Sequence, residues 1–282
     1  MSDLHTPYAG LDPDTLLDAV ESLGLACDGR ILALNSYENR VFRIGIEDGE
    51  PLVAKFYRPG RWTREAVLEE HAFAHELADA ELPVVAPLRI DGDTLHHWAG
   101  FDFALFPLRG GRAPEAGDRA TLVRLGTLLG RLHAVGARGR FAHRGALTPT
   151  SHGREPLAFL LAGDWMPREL AGNVARIGHA LLDAVEARWA QVDPRPLIRL
   201  HGDFHLGNLL WRDDSAHIVD LDDCLTGPAV QDLWMLLPGD GSEDDALRES
   251  LMEGYTAFRD FDPAEWLLVE PLRALRLVHY HA

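Results

Sequence analysis

Between Leu200 and Asp223 the chain reads LHGDFHLGNLLWRDDSAHIVDLDD, and this stretch constrains its fold more than any other. His201, Asp203, His205 and Asn208 crowd a loop bounded by the β-type runs LIRL (197–200) and NLLW (208–211), and Asp220 follows a third run, AHIV (216–219). If Asp203 and Asn208 lie on one side of a hairpin, with Asp220 closing the next strand, the three converge. Asp, Asn and Gly favour turns for their own sake, so any one of these residues could merely shape a loop. As a set they match the needs of phosphoryl transfer: a carboxylate to orient and deprotonate an acceptor hydroxyl, and oxygen donors for magnesium. An H-x-D-x-H run could also ligate zinc. His143 and His152 are the nearest further ligands, and both read as loop residues.

Of the chain's 27 basic residues only Lys55 is lysine. A compact ammonium on a thin stem fits where the planar arginine fork does not, so a sole surviving lysine marks a candidate site. It lies in the strand-like run VAKFY, and Glu69 and Glu70 lie on the helix-like segment 62–80 that follows. A strand lysine on nucleotide phosphates, steadied by a helix glutamate, is half of a kinase site.

The rest of the pattern predicts an α+β chain. Residues 13–23 have apolar positions at helical spacing, and ILALNSYENRVFRIGI and PLVAKFYR read as strands broken at turn residues. Two further strands fall near 94–98 and 101–107, after which Pro107 and Gly110–Gly111 punctuate the chain. Beyond that break, Leu122, Leu125, Leu129 and Leu132 recur on one helical face, and helices are expected at 167–192, 229–237, 243–258 and 263–281. The expected architecture is a small β-rich lobe with one main helix (1–107) and a larger, mostly helical lobe (108–282). Few residues separate Asp223 from the GPAVQDL helix, which leaves no room for a long phosphorylatable activation segment.

Composition narrows the partners. A net charge of −17 argues against a protein built around nucleic acid or anionic membrane. No run approaches the ~20 apolar residues of a membrane span, and MSDLHTPYAG lacks the features of a secretory signal. Cys27 and Cys224 are far apart, so a reducing, cytoplasmic setting is expected.

HGDFHLGN followed by IVDLDD resembles the catalytic and metal loops of the aminoglycoside phosphotransferase and choline kinase superfamily, relatives of the protein kinases. NSYENRV, VAKFYRPGRW, LEEH, LHGDFHLGNLLWRD, VDLDD and GPAVQDLWMLL resemble, more narrowly, the bacterial stress response kinase A family. The resemblance implies a protein-kinase-like two-lobed fold and a serine/threonine protein kinase that uses ATP and Mg2+ in the cytoplasm and acts as a monomer on a protein acceptor. Asp203 would accept the proton, Asn208 and Asp220 would bind magnesium, and Lys55 would contact phosphate with Glu70 as its partner. Ser36, in a turn that replaces the glycine-rich loop, would approach the ATP phosphates, and the connector near Phe106–Leu108 would offer backbone groups to adenine. Asp232 would brace the catalytic loop or serve as a plain helix-start carboxylate. The family's chain runs further, so a missing C-terminal segment is expected. A small-molecule kinase is the alternative, with Asp164, Asp240, Glu243 and Asp244 as candidates to line a pocket for a cation; a nucleotide-binding pseudokinase is a third reading.

Overall fold

The computed structural model describes residues 7–115, 117–163, 165–194, 196–212, 215–237 and 245–281. Asp164, Asp240, Glu243 and Asp244 lie outside the described residues. The chain forms two compact units: Met1–Arg112 with Leu209–Asp222, and Ala113–Asn208 with Asp223–Ala282.

The first unit opens with α1 (Pro13–Glu21), whose N-terminus is capped by the Asp12 carboxylate accepting from Thr15 N. A five-stranded antiparallel sheet follows, built from β1 (Cys27–Leu34), β2 (Arg40–Ile46), β3 (Leu52–Phe56), β4 (His96–Trp98) and β5 (Phe101–Pro107) in the order β1-β2-β3-β5-β4. Leu16 and Val20 of α1 pack with Ile44, Phe56 and Phe103 of the sheet, and the Phe56 and Phe103 rings stack 5.2 Å apart. Helix α2 (Arg64–Asp79), capped by Thr63, lies between β3 and β4 in the chain and buries Val67, Glu70, His71, Phe73 and Leu77.

This unit also captures a later hairpin. Strands β7 (Leu209–Arg212) and β8 (Ser215–Ile218) pair with each other. Val85 N donates to Ile218 O at 2.9 Å, Ile218 N to Pro83 O at 2.8 Å, and Arg112 exchanges two backbone hydrogen bonds with Trp211.

In the second unit the leucine stripe falls on α3 (Arg119–Gly136), where Leu122, Leu125, Leu129 and Leu132 are fully buried. Helix α3 packs closely against α7 (Asp245–Tyr255): a side chain at Gly126 would strike the Leu251 carbonyl, and one at Gly254 the Val123 carbonyl. A π-helical turn (Thr150–Arg154) leads into α4 (Glu155–Ala162), then α5 (Arg168–Val192). Strand β6 (Ile198–Leu200) pairs with β9 (Leu225–Gly227), followed by α6 (Val230–Trp234), α7, a 3-10 turn (Pro263–Leu268) and α8 (Val269–Tyr280).

The structure corrects several local expectations. Asp203 and Asn208 do not sit on a hairpin: β6 pairs with β9, β7 with β8, and the loop between them leaves one small sheet for another. The helix expected over 229–237 is shorter, that over 263–281 begins as a 3-10 turn, and α4 has no counterpart in the sequence reading.

Candidate active site

In the first unit the chemistry gathers around Lys55. Strand β3 points this residue into the protein, and only 6% of its surface is exposed. Its Nζ lies 3.4 Å from Glu70 Oε1, 3.2 Å from Asp220 Oδ1 and 3.2 Å from Asp222 Oδ1. Burial alone would lower the ammonium's pKa. The carboxylates of Asp222, Glu70 and Asp220 reverse this and hold it well above the usual lysine range. Arg61, in the turn after β3, is a second cation on Asp222.

Glu70 is buried on α2, and its neighbour His71 ties that helix to the surrounding chain: His71 pairs with Tyr57 Oη at 2.7 Å and Thr94 Oγ1 at 2.8 Å. The Tyr57 ring in turn lies 5.0 Å from Lys55 Nζ. Asp220 departs from regular backbone, with φ of +61° in the left-handed region. That conformation is uncommon for a side-chain-bearing residue, though Asp tolerates it better than most. Its carboxylate is about half exposed, unlike those of Glu70 and Asp222. Ser36 is exposed in the 35–39 turn, which is anchored where Asn39 Oδ1 accepts from Arg58 N at 3.1 Å. Phe106 and Leu108 are half-buried at and just beyond the end of β5, where Phe106 pairs with Val53 two positions from Lys55.

In the second unit the loop after β6 carries the other half of the set. Gly202 has φ of +87°, and a Cβ there would collide with the Asp223 carbonyl, so only glycine makes this turn. Asp232 at the start of α6 is fully buried and accepts from His201 N at 2.9 Å, Gly202 N at 2.9 Å and His133 Nε2 at 3.0 Å. It therefore braces the loop, and is more than a helix-start carboxylate. Gln231 Nε2 adds a bond to Gly202 O at 3.0 Å, and Phe204 anchors the loop in the core.

Asp203 stands at the mouth of this turn. Asn208 Nδ2 donates to its carbonyl at 2.9 Å, His205 Nε2 lies 3.3 Å from Oδ2, and Arg276 Nη2 donates to Oδ1 at 2.8 Å. Burial would raise the Asp203 pKa, but the His205 hydrogen bond and the Arg276 charge outweigh it and keep the carboxyl well below the usual range. With its amide nitrogen committed to Asp203, Asn208 has its side-chain oxygen left as donor for a cation.

Sequence reasoning passed over three participants. Asp222 carried a signal, since it lies two residues beyond Asp220 in VDLDD, and Arg61 sits in the PGRW turn. Arg276 carried none: an arginine on a late amphipathic helix reads as solvated surface. Among the described residues no group of three or more His, Cys, Asp and Glu could hold a metal ion, and His152 instead lies against His279 with the rings tilted and their centroids 4.6 Å apart.

The profile of a family described as "Phosphotransferase enzyme family" matches residues 30–268. The chain is 44% identical to "Stress response kinase A" of Escherichia coli K12, over 100% of this chain and 85% of the relative. The chain belongs to the phosphotransferase enzyme family. A second relative, from Salmonella typhimurium, is 42% identical with the same coverage and carries the name "Serine/threonine protein kinase RdoA". Among solved structures, this phosphotransferase resembles an amicoumacin kinase in complex with AMP-PNP, Ca2+ and Ami: TM-score 0.78, 18% identity, 99% of this chain and 87% of that one. It also resembles a spectinomycin phosphotransferase with ADP and spectinomycin: TM-score 0.66, 14% identity, 94% and 85% covered. The fold is accordingly the two-lobed, protein-kinase-like one of these phosphotransferases. No helix among the described residues is long and apolar enough to cross a membrane.

Proposed function

We propose that this phosphotransferase is an ATP- and magnesium-dependent serine/threonine protein kinase of the cytoplasm, acting in a bacterial stress response. The observation that carries the reading is the surround of the sole lysine. Lys55 is buried against Glu70 within 3.4 Å of the half-exposed Asp220, an arrangement suited to presenting one ammonium to phosphate. In this reading the first lobe (1–107) binds nucleotide, with Lys55 on the phosphates, Ser36 approaching them and the backbone of Phe106–Leu108 beside adenine. The second lobe (108–282) supplies the acceptor chemistry.

Asp220 and Asn208 would hold the metal. Both are hard oxygen donors, one half-exposed and one with its amide nitrogen already engaged, which fits a cation that keeps part of its water. Bound there, magnesium supplies charge neutralisation at the transferring phosphoryl group. The chain's own residues do the rest. Asp203 orients the acceptor hydroxyl and takes its proton, its depressed pKa keeping it ionised across the physiological range. Asp232 fixes the loop, so that Asp203 needs little reorganisation at the moment of transfer.

The protein acceptor rests on the names of the relatives at 42–44% identity. A small-molecule acceptor is the second reading, favoured by the amicoumacin kinase and the spectinomycin phosphotransferase that share the fold.

The test uses γ-labelled ATP, magnesium and a generic protein acceptor such as casein, with Asp203→Ala alongside. Label should pass to protein, and the variant should lose ~10²–10⁴ in turnover while still binding nucleotide. Unchanged turnover in Asp203→Ala removes the assignment of the base. ATP binding without label on any protein moves the acceptor to a small alcohol.

A further inference from the structure

Any hydroxyl that reaches Asp203 arrives beside a guanidinium. Arg276 Nη2 sits 2.8 Å from Asp203 Oδ1, on the same oxygen an incoming hydroxyl would use, while Oδ2 is occupied by His205 at 3.3 Å and Asn208 Nδ2 at 3.4 Å. Arg276 is about one-third exposed and so can exchange partners, whereas the loop around Asp203 is pinned from within by Asp232.

A second arginine lies one turn earlier on the same helix. Arg273 is 5.1 Å from the centre of the Trp234 ring, Trp234 Nε1 donates to Gln231 Oε1 at 3.5 Å, and Gln231 holds Gly202 O. Arg273 also pairs with the exposed Glu270 at 3.1 Å, and Arg276 lies 4.7 Å from the centre of the Tyr280 ring. In a chain of net charge −17, α8 thus brings two guanidinium groups to the side of the base, Arg276 on Asp203 itself and Arg273 on Glu270. The aromatic rings beside these guanidinium groups hold them in place by cation–π attraction, which leaves their N–H groups able to meet a further anion.

We propose that Arg276, backed by Arg273, makes the acceptor site select a hydroxyl flanked by an anionic group, which for a protein acceptor means a Ser or Thr with Asp or Glu beside it. The identity of the acceptor as a peptide rests on the protein-kinase reading; the sign of its charge does not. In the free enzyme Arg276 pairs with Asp203, and in the complex it also meets the acceptor's carboxylate. The acceptor oxygen then bonds to the γ-phosphorus, the bond from that phosphorus to the β–γ bridging oxygen breaks, and ADP leaves with the electron pair. The hydroxyl proton passes to Asp203 and on to solvent. A cationic acceptor would place like charge against Arg276, a repulsive term that discriminates as effectively as an attractive one.

Two serine peptides differing only in Asp or Lys on either side of the serine test this, with kcat/KM compared within one enzyme preparation so that any loss of folded protein cancels. The wild-type enzyme should favour the Asp peptide by about tenfold or more. Arg276→Gln should bring the ratio to within about twofold, Arg276→Lys should keep most of it, and Arg273→Gln should reduce it by about threefold. Preference for the Lys peptide, or a ratio unchanged in both Gln variants, overturns the proposal. If no peptide is labelled but small alcohols are, the protein-kinase reading fails alone, and the same ratio taken between a hydroxy acid and an amino alcohol decides the charge rule. Preference for the amino alcohol then overturns it.

Discussion

Replacing Asp232 by Asn keeps shape and volume, removes a charge and turns one acceptor oxygen into an NH2 donor. In the native site Oδ2 accepts from His201 N and His133 Nε2, and Oδ1 accepts from Gly202 N, all at 2.9–3.0 Å and out of contact with water. His133 is neutral here: burial pushes its pKa down against the opposing pull of Asp232. Its Nε2–H therefore donates to Asp232, and its Nδ1 accepts from Tyr255 Oη at 2.9 Å. An asparagine oxygen can replace Oδ2, leaving its NH2 facing the Gly202 N–H, or replace Oδ1, leaving its NH2 facing both the His201 N–H and the His133 Nε2–H. The first choice is better and still loses one charge-assisted bond worth ~1.5–3 kcal/mol, while two others become neutral bonds at some tenths to ~1 kcal/mol each. The expected loss is about 3 kcal/mol, a large share of the ~5–15 kcal/mol that holds a typical domain together. Urea unfolding followed by tryptophan fluorescence reads this loss. Turnover at a temperature where the variant is still folded should also fall, because the released turn carries Asp203. A loss below about 1 kcal/mol, or full turnover, refutes the bracing argument.

Two further outcomes follow from buried groups. Lys55→Arg retains the charge but forces a larger planar group among Glu70, Asp220, Asp222 and the Tyr57 ring, so it should cost ~1–3 kcal/mol in urea unfolding and weaken ATP binding; turnover within twofold of wild type would defeat the sole-lysine argument. His152 is pushed down from 6.5 to about 4 by burial first and then by His279, so the unfolded chain binds a proton that the fold refuses between those values. Stability should fall as pH drops through that window, by at most about 3 kcal/mol from this residue, and His152→Gln should flatten the slope measured by thermal unfolding from pH 7 to 4; an unchanged slope excludes His152 as its source.

What the sequence made legible was what recurs or stands alone. The leucines of α3 announce their buried face through periodicity, and all four are fully buried. Lys55 announces itself through uniqueness, and its burial against α2 follows the strand-then-helix order of the chain. Pairing of the short strands was not legible. Strands β6 and β9 have three residues each, too few for any alternation to specify a partner, so proximity in sequence suggested a hairpin that tertiary packing does not make. Arg276 and Asp203 are 73 positions apart, and nothing local in RALRLVHY marks one arginine as the partner of a half-buried acid. The apolar stretch of α4 lacks a polar counter-face, which hid its helical period.

The division of the chain also explains why Asn208 and Asp220, so near in sequence, stand on different foundations. Asn208 is fixed by Asp203 and belongs with the loop that Asp232 braces. One residue later the chain leaves for the first unit, where backbone bonds from Arg112, Pro83 and Val85 hold the β7–β8 hairpin. Asp220 and Asp222 follow directly from that hairpin and meet Lys55 at 3.2 Å each. Position and charge at Lys55 are thus set by β3, α2 and a hairpin delivered from more than 150 residues further along. The positive φ of Asp220 marks the point where this excursion turns back, and Gly202 marks the corresponding turn before it begins. Asp220 itself, and Gly202 just before Asp203, therefore adopt a backbone conformation that few side-chain-bearing residues do. Such local strain persists only where the surroundings over-determine it, here the Asp232 brace on one side and the hairpin's backbone ties on the other.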